Sequence, residues 1–334
     1  MANTYNYEQI MLCLAYLADV GASSKIKDTS CNTAEQIYQL MLKVLNSWEP
    51  IKGQWTIVWG PGVFKFPFVK YYDNVLFIAQ STSNPNTYTV STSGTNPYSI
   101  SDWLFEDFLV ATQLPWPYGS PPPSLKPKIS LSAGLGLTIL ENLKPCANLP
   151  GAGILPMQYL SNAVQKAGSN SVNVYVTGHS LGGALSSVMA LWLADTKAQW
   201  DAKNQATVNA YCYAGPTAGN GDFASYFDQR IGSNTQRIWN SLDIVPHAWA
   251  LSDLKQIPTL YQPQIQPEQW IVDTVKGIVD LLTALRSNYQ QINPSQQPLP
   301  GKVNTKYSNF LEQAGYQHVQ AYLDLLGIPS MPKE

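Results

Sequence analysis

Apolar residues run almost unbroken from position 10 to position 20, Ile10-Met11-Leu12-Cys13-Leu14-Ala15-Tyr16-Leu17-Ala18-Asp19-Val20. This predicts an amphipathic helix packed on the domain, starting near Asn6 and ending before Gly21. A second helix is read over 33–47, where Ile37, Leu40, Met41, Val44 and Leu45 fall on one side. The pattern then changes to short β-branched and aromatic runs, Trp55-Thr56-Ile57-Val58-Trp59 and Asn74-Val75-Leu76-Phe77-Ile78-Ala79, which read as strands. A polar turn over 81–86 leads into Thr87-Tyr88-Thr89-Val90-Ser91, so the last two runs form a β-hairpin. Residues 114–128 are Pro-rich and predict a partly stiff exposed loop. Helical stretches follow over 130–143 and 157–167.

The clearest pattern begins at position 172. Val172-Asn173-Val174-Tyr175-Val176-Thr177 is a buried strand, residues 178–183 a turn, 184–194 a helix, and 207–213 another strand. Strand, helix, strand in this order makes a parallel unit with a right-handed crossover. Residues 236–240 supply a further strand, and Asp243 follows it. Residues 252–305 are rich in Gln and Pro around one helical segment, 270–285, and form a candidate cap or lid over a cleft. The Pro-rich segment 115–123 is a second lid candidate. A last helix is expected over 318–326.

Composition narrows the possibilities. With 334 residues, 45% hydrophobic and 13% charged, the chain can bury a large core in one α/β domain. The 20 basic and 22 acidic residues leave no basic field for nucleic acid. No segment reads as transmembrane, and no secretory signal is recognisable. The expected location is the cytoplasm, or outside the cell by a leaderless route. Of the four cysteines, Cys13 and Cys212 lie in apolar runs and read as buried hydrophobes. No metal-ligand spacing occurs, and a Cys31–Cys146 disulfide stays open as an alternative to free thiols.

Chemistry concentrates at Gly178-His179-Ser180-Leu181-Gly182. A serine hydroxyl is a weak nucleophile at neutral pH and needs a base and a turn that points it outward. The G-x-S-x-G turn between strand and helix supplies the second need, and the Leu181 N–H then faces a developing oxyanion. The base must be one of three histidines. His179 adjoins the nucleophile, so the turn sends its ring in another direction. His247 can line an acyl pocket or pack on Trp249. His318 lies late in the chain, after the candidate acid, and is the expected base. Asp243 is the expected acid because it follows a strand, whereas Asp222, Asp228 and Asp253 do not.

These residues resemble the class 3, fungal-type lipases. Thr177 to Leu185 is similar to that family's nucleophile turn. Ala214-Gly215-Pro216-Thr217-Ala218-Gly219-Asn220 is similar to its next strand end, Asn240 to Pro246 to its acid loop, and His318 with Tyr316 and Tyr322 to its histidine segment. The resemblance implies an α/β-hydrolase fold: a mostly parallel central sheet, helices on both faces, and a cap or lid insertion. It also implies a Ser180–His318–Asp243 triad that cleaves acylglycerol-type esters through an acyl-enzyme, with no metal or organic cofactor. Its oxyanion motif points to Thr95 as the second donor beside Leu181. Ser93 stands where the family has arginine, which leaves the bracing of that loop open. Trp103, His247 and Trp249 are candidate substrate-binding residues, and Phe105, Trp116, Leu251 and Trp270 are further aromatic or apolar neighbours. A phospholipase or acyltransferase would use the same triad, and an inactive lipid-binding protein would keep the fold.

Overall fold

In a computed structural model, residues 4–23, 30–65, 74–94 and 108–332 are described. Eight strands occur among them: β1 (Trp55–Phe64), β2 (Asn74–Ser81), β3 (Thr87–Thr92), β4 (Gln113–Pro115), β5 (Lys128–Ser130), β6 (Val172–His179), β7 (Ala206–Tyr213) and β8 (Thr235–Ile238). The main helices are α1 (Tyr7–Ser23), α2 (Cys31–Leu45), α3 (Leu131–Asn142), α4 (Pro156–Ala167), α5 (Leu181–Asp195), α6 (Gly221–Ile231), α7 (Gln269–Ala284), α8 (Phe310–His318) and α9 (Gln320–Leu326).

Six strands form the central sheet in the order β1-β2-β3-β6-β7-β8. The hairpin expected from the polar turn is there, with β2 antiparallel to β3 through Ile78 opposite Val90. From β3 onward the neighbours are parallel: Thr87 pairs with Asn173, Val172 with Ala206, and Ala210 with Thr235. Side chains alternate between the two faces of a strand. Leu76 and Ile78 therefore join the core under α3, α4, α5 and α6. Phe77 and Ala79 join the core under α1 and α2. This is the α/β-hydrolase arrangement, a mostly parallel sheet with helices on both faces.

Three expectations change in detail. Helix α1 is not half-exposed: Met11, Leu12, Cys13, Leu14, Ala15, Leu17 and Ala18 are all fully buried. It lies between the sheet and α2, and its hydrophobicity is needed on every side. Gly21 does not stop it. A Cβ there would stand 2.8 Å from Ile37 Cγ2, so the small residue lets α2 pack close. The Pro-rich loop carries a little order, because Gln113–Pro115 pairs with Lys128–Ser130. The last helix, expected over 318–326, is α9 from Gln320, and an unexpected helix, α8, precedes it and ends at His318, with the break at Val319 (φ −118°, ψ −74°).

The 252–305 stretch divides in two. Leu254, Ile257, Tyr261, Ile265, Ile271, Val275 and Leu282 form a satellite core with Ile244 and Val245 of the acid loop and Phe310 and Ala314 of α8. Beyond it the chain returns to the sheet edge, where the Leu299 N–H donates to the Trp239 carbonyl at 2.7 Å and the Ser241 N–H to the Leu299 carbonyl at 3.0 Å. Cys31 and Cys146 are bonded in a disulfide with Cα atoms 5.5 Å apart, tying the start of α2 to the segment after α3. Cys13 and Cys212 are free and buried. No helix among the described residues is long and apolar enough to cross a membrane.

Candidate active site

The site grows from the end of β6. Ser180 follows the strand with φ 62° and ψ −130°, and α5 starts at the next residue. A left-handed conformation in a residue with a Cβ costs about 1–3 kcal/mol and persists only where the surroundings enforce it. They do so here. A Cβ on Gly178 would lie 2.2 Å from the Gly182 carbonyl oxygen, and one on Gly182 would lie 2.5 Å from that of Thr92. Only hydrogens fit at both places, so the turn closes with Ser180 at its tip. Its amide donates to the Tyr213 carbonyl at 3.1 Å, fixing the tip to the neighbouring strand.

Asp243 sits on the loop after β8 and is fully buried. Its carboxylate accepts three kinds of hydrogen bond. The Val245 N–H donates to Oδ1 at 3.0 Å and the Tyr322 hydroxyl to Oδ2 at 2.9 Å. The third donor is Nδ1 of His318, at 3.0 Å from Oδ1 and 2.9 Å from Oδ2. A carboxylate only accepts, so Nδ1 carries the proton and Nε2 of the neutral ring keeps its lone pair. Nε2 is buried and has no hydrogen-bond partner among the described residues. Burial pushes the His318 imidazole below its ordinary value of 6.5, opposed by the Asp243 charge. Burial, with Asp243 adding to it, drives the Tyr322 phenol well above its usual range, so the hydroxyl stays a donor.

His318 is the last residue of α8 rather than the first of a final helix. The acid loop is fastened to that helix by Asn240, whose Nδ2 donates to the Gln317 carbonyl at 3.0 Å and to Gln317 Oε1 at 2.7 Å. The Asn240 N–H donates to the Tyr322 hydroxyl at 3.0 Å. Asp243 and His318 therefore share one hydrogen-bonded frame. The Tyr322 part was visible only as a motif tyrosine, and the roles of Asn240 and Gln317 carried no pattern.

Asp243 and His318 meet through Nδ1 of the ring, and the side chain of His179, the residue before Ser180, lies against that of His318. The His179 and His318 ring centroids are 4.6 Å apart. His247 is elsewhere in this frame. It is buried, its Nδ1 bonds the Asp243 backbone carbonyl at 2.8 Å, and its ring meets Trp239 edge-on at 5.7 Å. The side chain that meets the Asp243 carboxylate is His318. Trp249 is buried in the satellite core beside Tyr261 and Leu254. Trp116 belongs to the main core, with its indole N–H on Asp195 at 2.9 Å, and Trp270 is exposed on α7. Thr95, Trp103 and Phe105 lie outside the described residues.

The loop leading to Thr95 is braced without the family's arginine. Ser93 takes the Val75 N–H on its hydroxyl at 2.9 Å and returns its own N–H to the Val75 carbonyl at 2.9 Å. Gly94 donates its N–H to Asp19 Oδ1 at 2.8 Å. A Cβ on Gly94 would stand 2.9 Å from Ser180 Cβ and 3.4 Å from the Leu181 nitrogen, so this loop closes directly on the Ser180 turn.

Comparison with known proteins follows the same lines. Residues 156–252 match the family model Lipase (class 3). The crystal structure of M37 lipase is 37% identical, with a TM-score of 0.88, over 97% of this chain and 93% of that one. A lipase of Caenorhabditis elegans is 29% identical over 127 residues, 35% of this chain and 35% of that protein, so the match spans about a third of that relative's length. A lipase structure from Rhizopus microsporus var. chinensis is 20% identical over 75% of this chain and 72% of that one, with a TM-score of 0.45.

Proposed function

From the premise that the chain belongs to the class 3 lipase family, we propose that it hydrolyses acylglycerol-type carboxylic esters through Ser180, His318 and Asp243. One observation carries the reading: a buried imidazole held through Nδ1 by a buried carboxylate, with Nε2 unpartnered. That atom takes the Ser180 proton as the hydroxyl oxygen attacks the ester carbonyl. The negative charge that forms on the carbonyl oxygen is met by the Leu181 N–H and, as the family resemblance implies, by Thr95. The imidazolium returns its proton to the departing alcohol oxygen. Water then repeats the sequence on the acyl-enzyme, releasing the acid and restoring Ser180. Asp243 holds the ring and balances its transient charge.

On this reading Trp103 contributes to the acyl site, and the segment from Leu251 through α7 is the cap, with Trp249 and His247 at its root. Its packing on the acid loop and α8 supports this, because movement of the cap bears on the base. The Cys31–Cys146 disulfide supports residence in an oxidising compartment over the cytosol.

The test compares wild type with Ser180→Ala and His318→Ala on p-nitrophenyl esters of graded chain length. Each variant should lose about four orders of magnitude or more in kcat/KM. Substantial turnover by His318→Ala would move the base to His247. A profile favouring long acyl chains supports a lipase, and one confined to short chains an esterase.

A further inference from the structure

Asp19, on α1, lies outside the residues matched by the family model, and the triad chemistry does not call on it. Its two oxygens nonetheless reach both halves of the site. Oδ1 accepts the N–H of Gly94, the residue before Thr95, at 2.8 Å. Oδ2 meets His179 Nδ1 at 3.3 Å. The other ring nitrogen of His179, Nε2, bonds the backbone carbonyl of His318 at 2.7 Å. The His179 ring lies tilted by 37° against that of His318 at 4.6 Å and meets Tyr16 edge-on at 4.7 Å. The same helix holds the next residue too, since the Tyr16 hydroxyl donates to the Val319 carbonyl at 2.7 Å. The Asp19 carboxylate is 14% exposed and His179 only 2%, so water competes little for these contacts.

We propose that Asp19 is a positioning residue for ester hydrolysis: its single carboxylate spaces the oxyanion loop, through Gly94, against the base, through His179 and the His318 backbone. The inference rests on the triad reading given above. Oxyanion donor and base must hold fixed distances from Ser180 at the same time. The two sit on segments far apart in sequence, and Asp19 is the one side chain described that touches the Gly94 N–H and the His179 ring together. The hydrogen-bond inventory makes the proposal specific. Both nitrogens of His179 face acceptors, and both are satisfied as donors only when the ring holds two protons. Asparagine at 19 would accept from Gly94 through Oδ1 and donate through Nδ2 to a singly protonated His179, whose Nε2–H still reaches the His318 carbonyl. All the contacts survive in Asp19→Asn, and Asp19→Ala removes them.

The experiment measures kcat and KM on p-nitrophenyl butyrate, phosphonate labelling of Ser180, and the melting temperature for wild type, Asp19→Asn, Asp19→Ala and Ser180→Ala. Misplacing a catalytic group by an ångström costs about 100-fold, and loss of one oxyanion donor costs as much or more. Asp19→Ala should therefore lose about 30- to 100-fold in kcat, with KM within about threefold and labelling slowed in parallel. Asp19→Asn should keep kcat within about threefold of wild type. If Asp19→Ala does not fold, Asp19→Ser, which reaches only one of the two partners, should show an intermediate loss in kcat. The proposal is overturned if Asp19→Ala, or Asp19→Ser in its place, keeps wild-type kcat whatever happens to its melting temperature. It is equally overturned if Asp19→Asn falls as far as Asp19→Ala. Ser180→Ala separates the two levels: an active Ser180→Ala would sink the triad reading itself, whereas a dead one with a wild-type Asp19→Ala sinks only the role of Asp19.

Discussion

Helices α1 and α7 are nearly equal in length, 17 and 16 residues, and both carry long apolar content, yet the molecule treats them oppositely. In α1 the apolar residues go all round, and the helix is enclosed by sheet, α2 and the histidine segment. Ser91 donates to its Leu14 carbonyl at 2.9 Å and Thr177 to its Met11 carbonyl at 3.2 Å, so even the backbone of α1 is gripped from below. In α7 the buried residues are Ile271, Val275 and Leu282, a single stripe, while Trp270, Leu281 and Leu285 remain exposed. A helix surrounded on every side locates the groups it carries. One that rests on a narrow stripe can be displaced at small cost, which suits a cap. The difference fits the two proposals, a positioning role for Asp19 and a covering role for α7.

The comparison breaks most readily at Leu14. Leu14→Ala should destabilise the protein by about 3–5 kcal/mol in urea unfolding, as expected for a fully buried leucine in a site that cannot collapse. A cost under about 1 kcal/mol would show that α1 is not a core element. Next in size is Tyr16→Phe, which deletes the hydroxyl bonded to Val319 and should cost about 1–1.5 kcal/mol, with a several-fold fall in kcat. Unchanged kcat would mean that α1 supports the sheet but not the base. A pH profile sharpens the same point. Burial places the His318 imidazole below 6.5, so its Nε2 lone pair persists there and the acid limb of kcat/KM should have its midpoint below 6.5. The unfolded ring takes its proton first as pH falls, so the stability contributed by the neutral ring is full above about 6.5 and is lost toward the lower folded value. A midpoint above 6.5 would show the Asp243 charge outweighing burial. The smallest effect belongs to α7. Leu281→Gln should shift stability by no more than about 0.5 kcal/mol, since the side chain is 38% exposed and glutamine is a good helix former. A large loss in melting temperature would make α7 a structural helix rather than a displaceable cover. Emulsified ester against soluble ester, with the same variant, reads out whether that face meets substrate.

Much of the architecture was legible because periodicity is local. The Val172–Thr177 run, the turn at Ser180 and the helix after it each show in a window of a few residues, and the glycines at 178 and 182 are explained by the backbone atoms that press on them. The pairing of Asp243 with His318 was legible by order and elimination, with so few histidines to choose from. The surroundings of α1 were not, because an unbroken apolar run reads alike whether one face or all of it is covered. Helix α8 was not legible either: only 318–326 reads as helix, and the helix over 310–318 that ends on His318 shows in the structure alone. Asp19 was beyond reach, because its partner Gly94 is 75 residues away and no spacing rule links a helix carboxylate to a loop amide. The arginine missing at Ser93 was the one sign that some other group had to hold that loop.

Helix α1 also clasps the segment that follows the base. Gln9 donates to the Leu326 carbonyl at 2.8 Å, Tyr16 to Val319, and Trp48, beyond α2, to the Pro329 carbonyl at 2.8 Å. His318, the proposed base, is thus delivered by a late part of the chain and latched by an early one, while Ser180, the proposed nucleophile, follows a central strand between them. On the proposed mechanism, loosening that latch should separate Ser180 from His318 before the strands themselves are disturbed. Heat, mild denaturant or a protease acting near the latch should therefore silence turnover while the sheet still reports as folded, making activity the earliest gauge of damage to this protein.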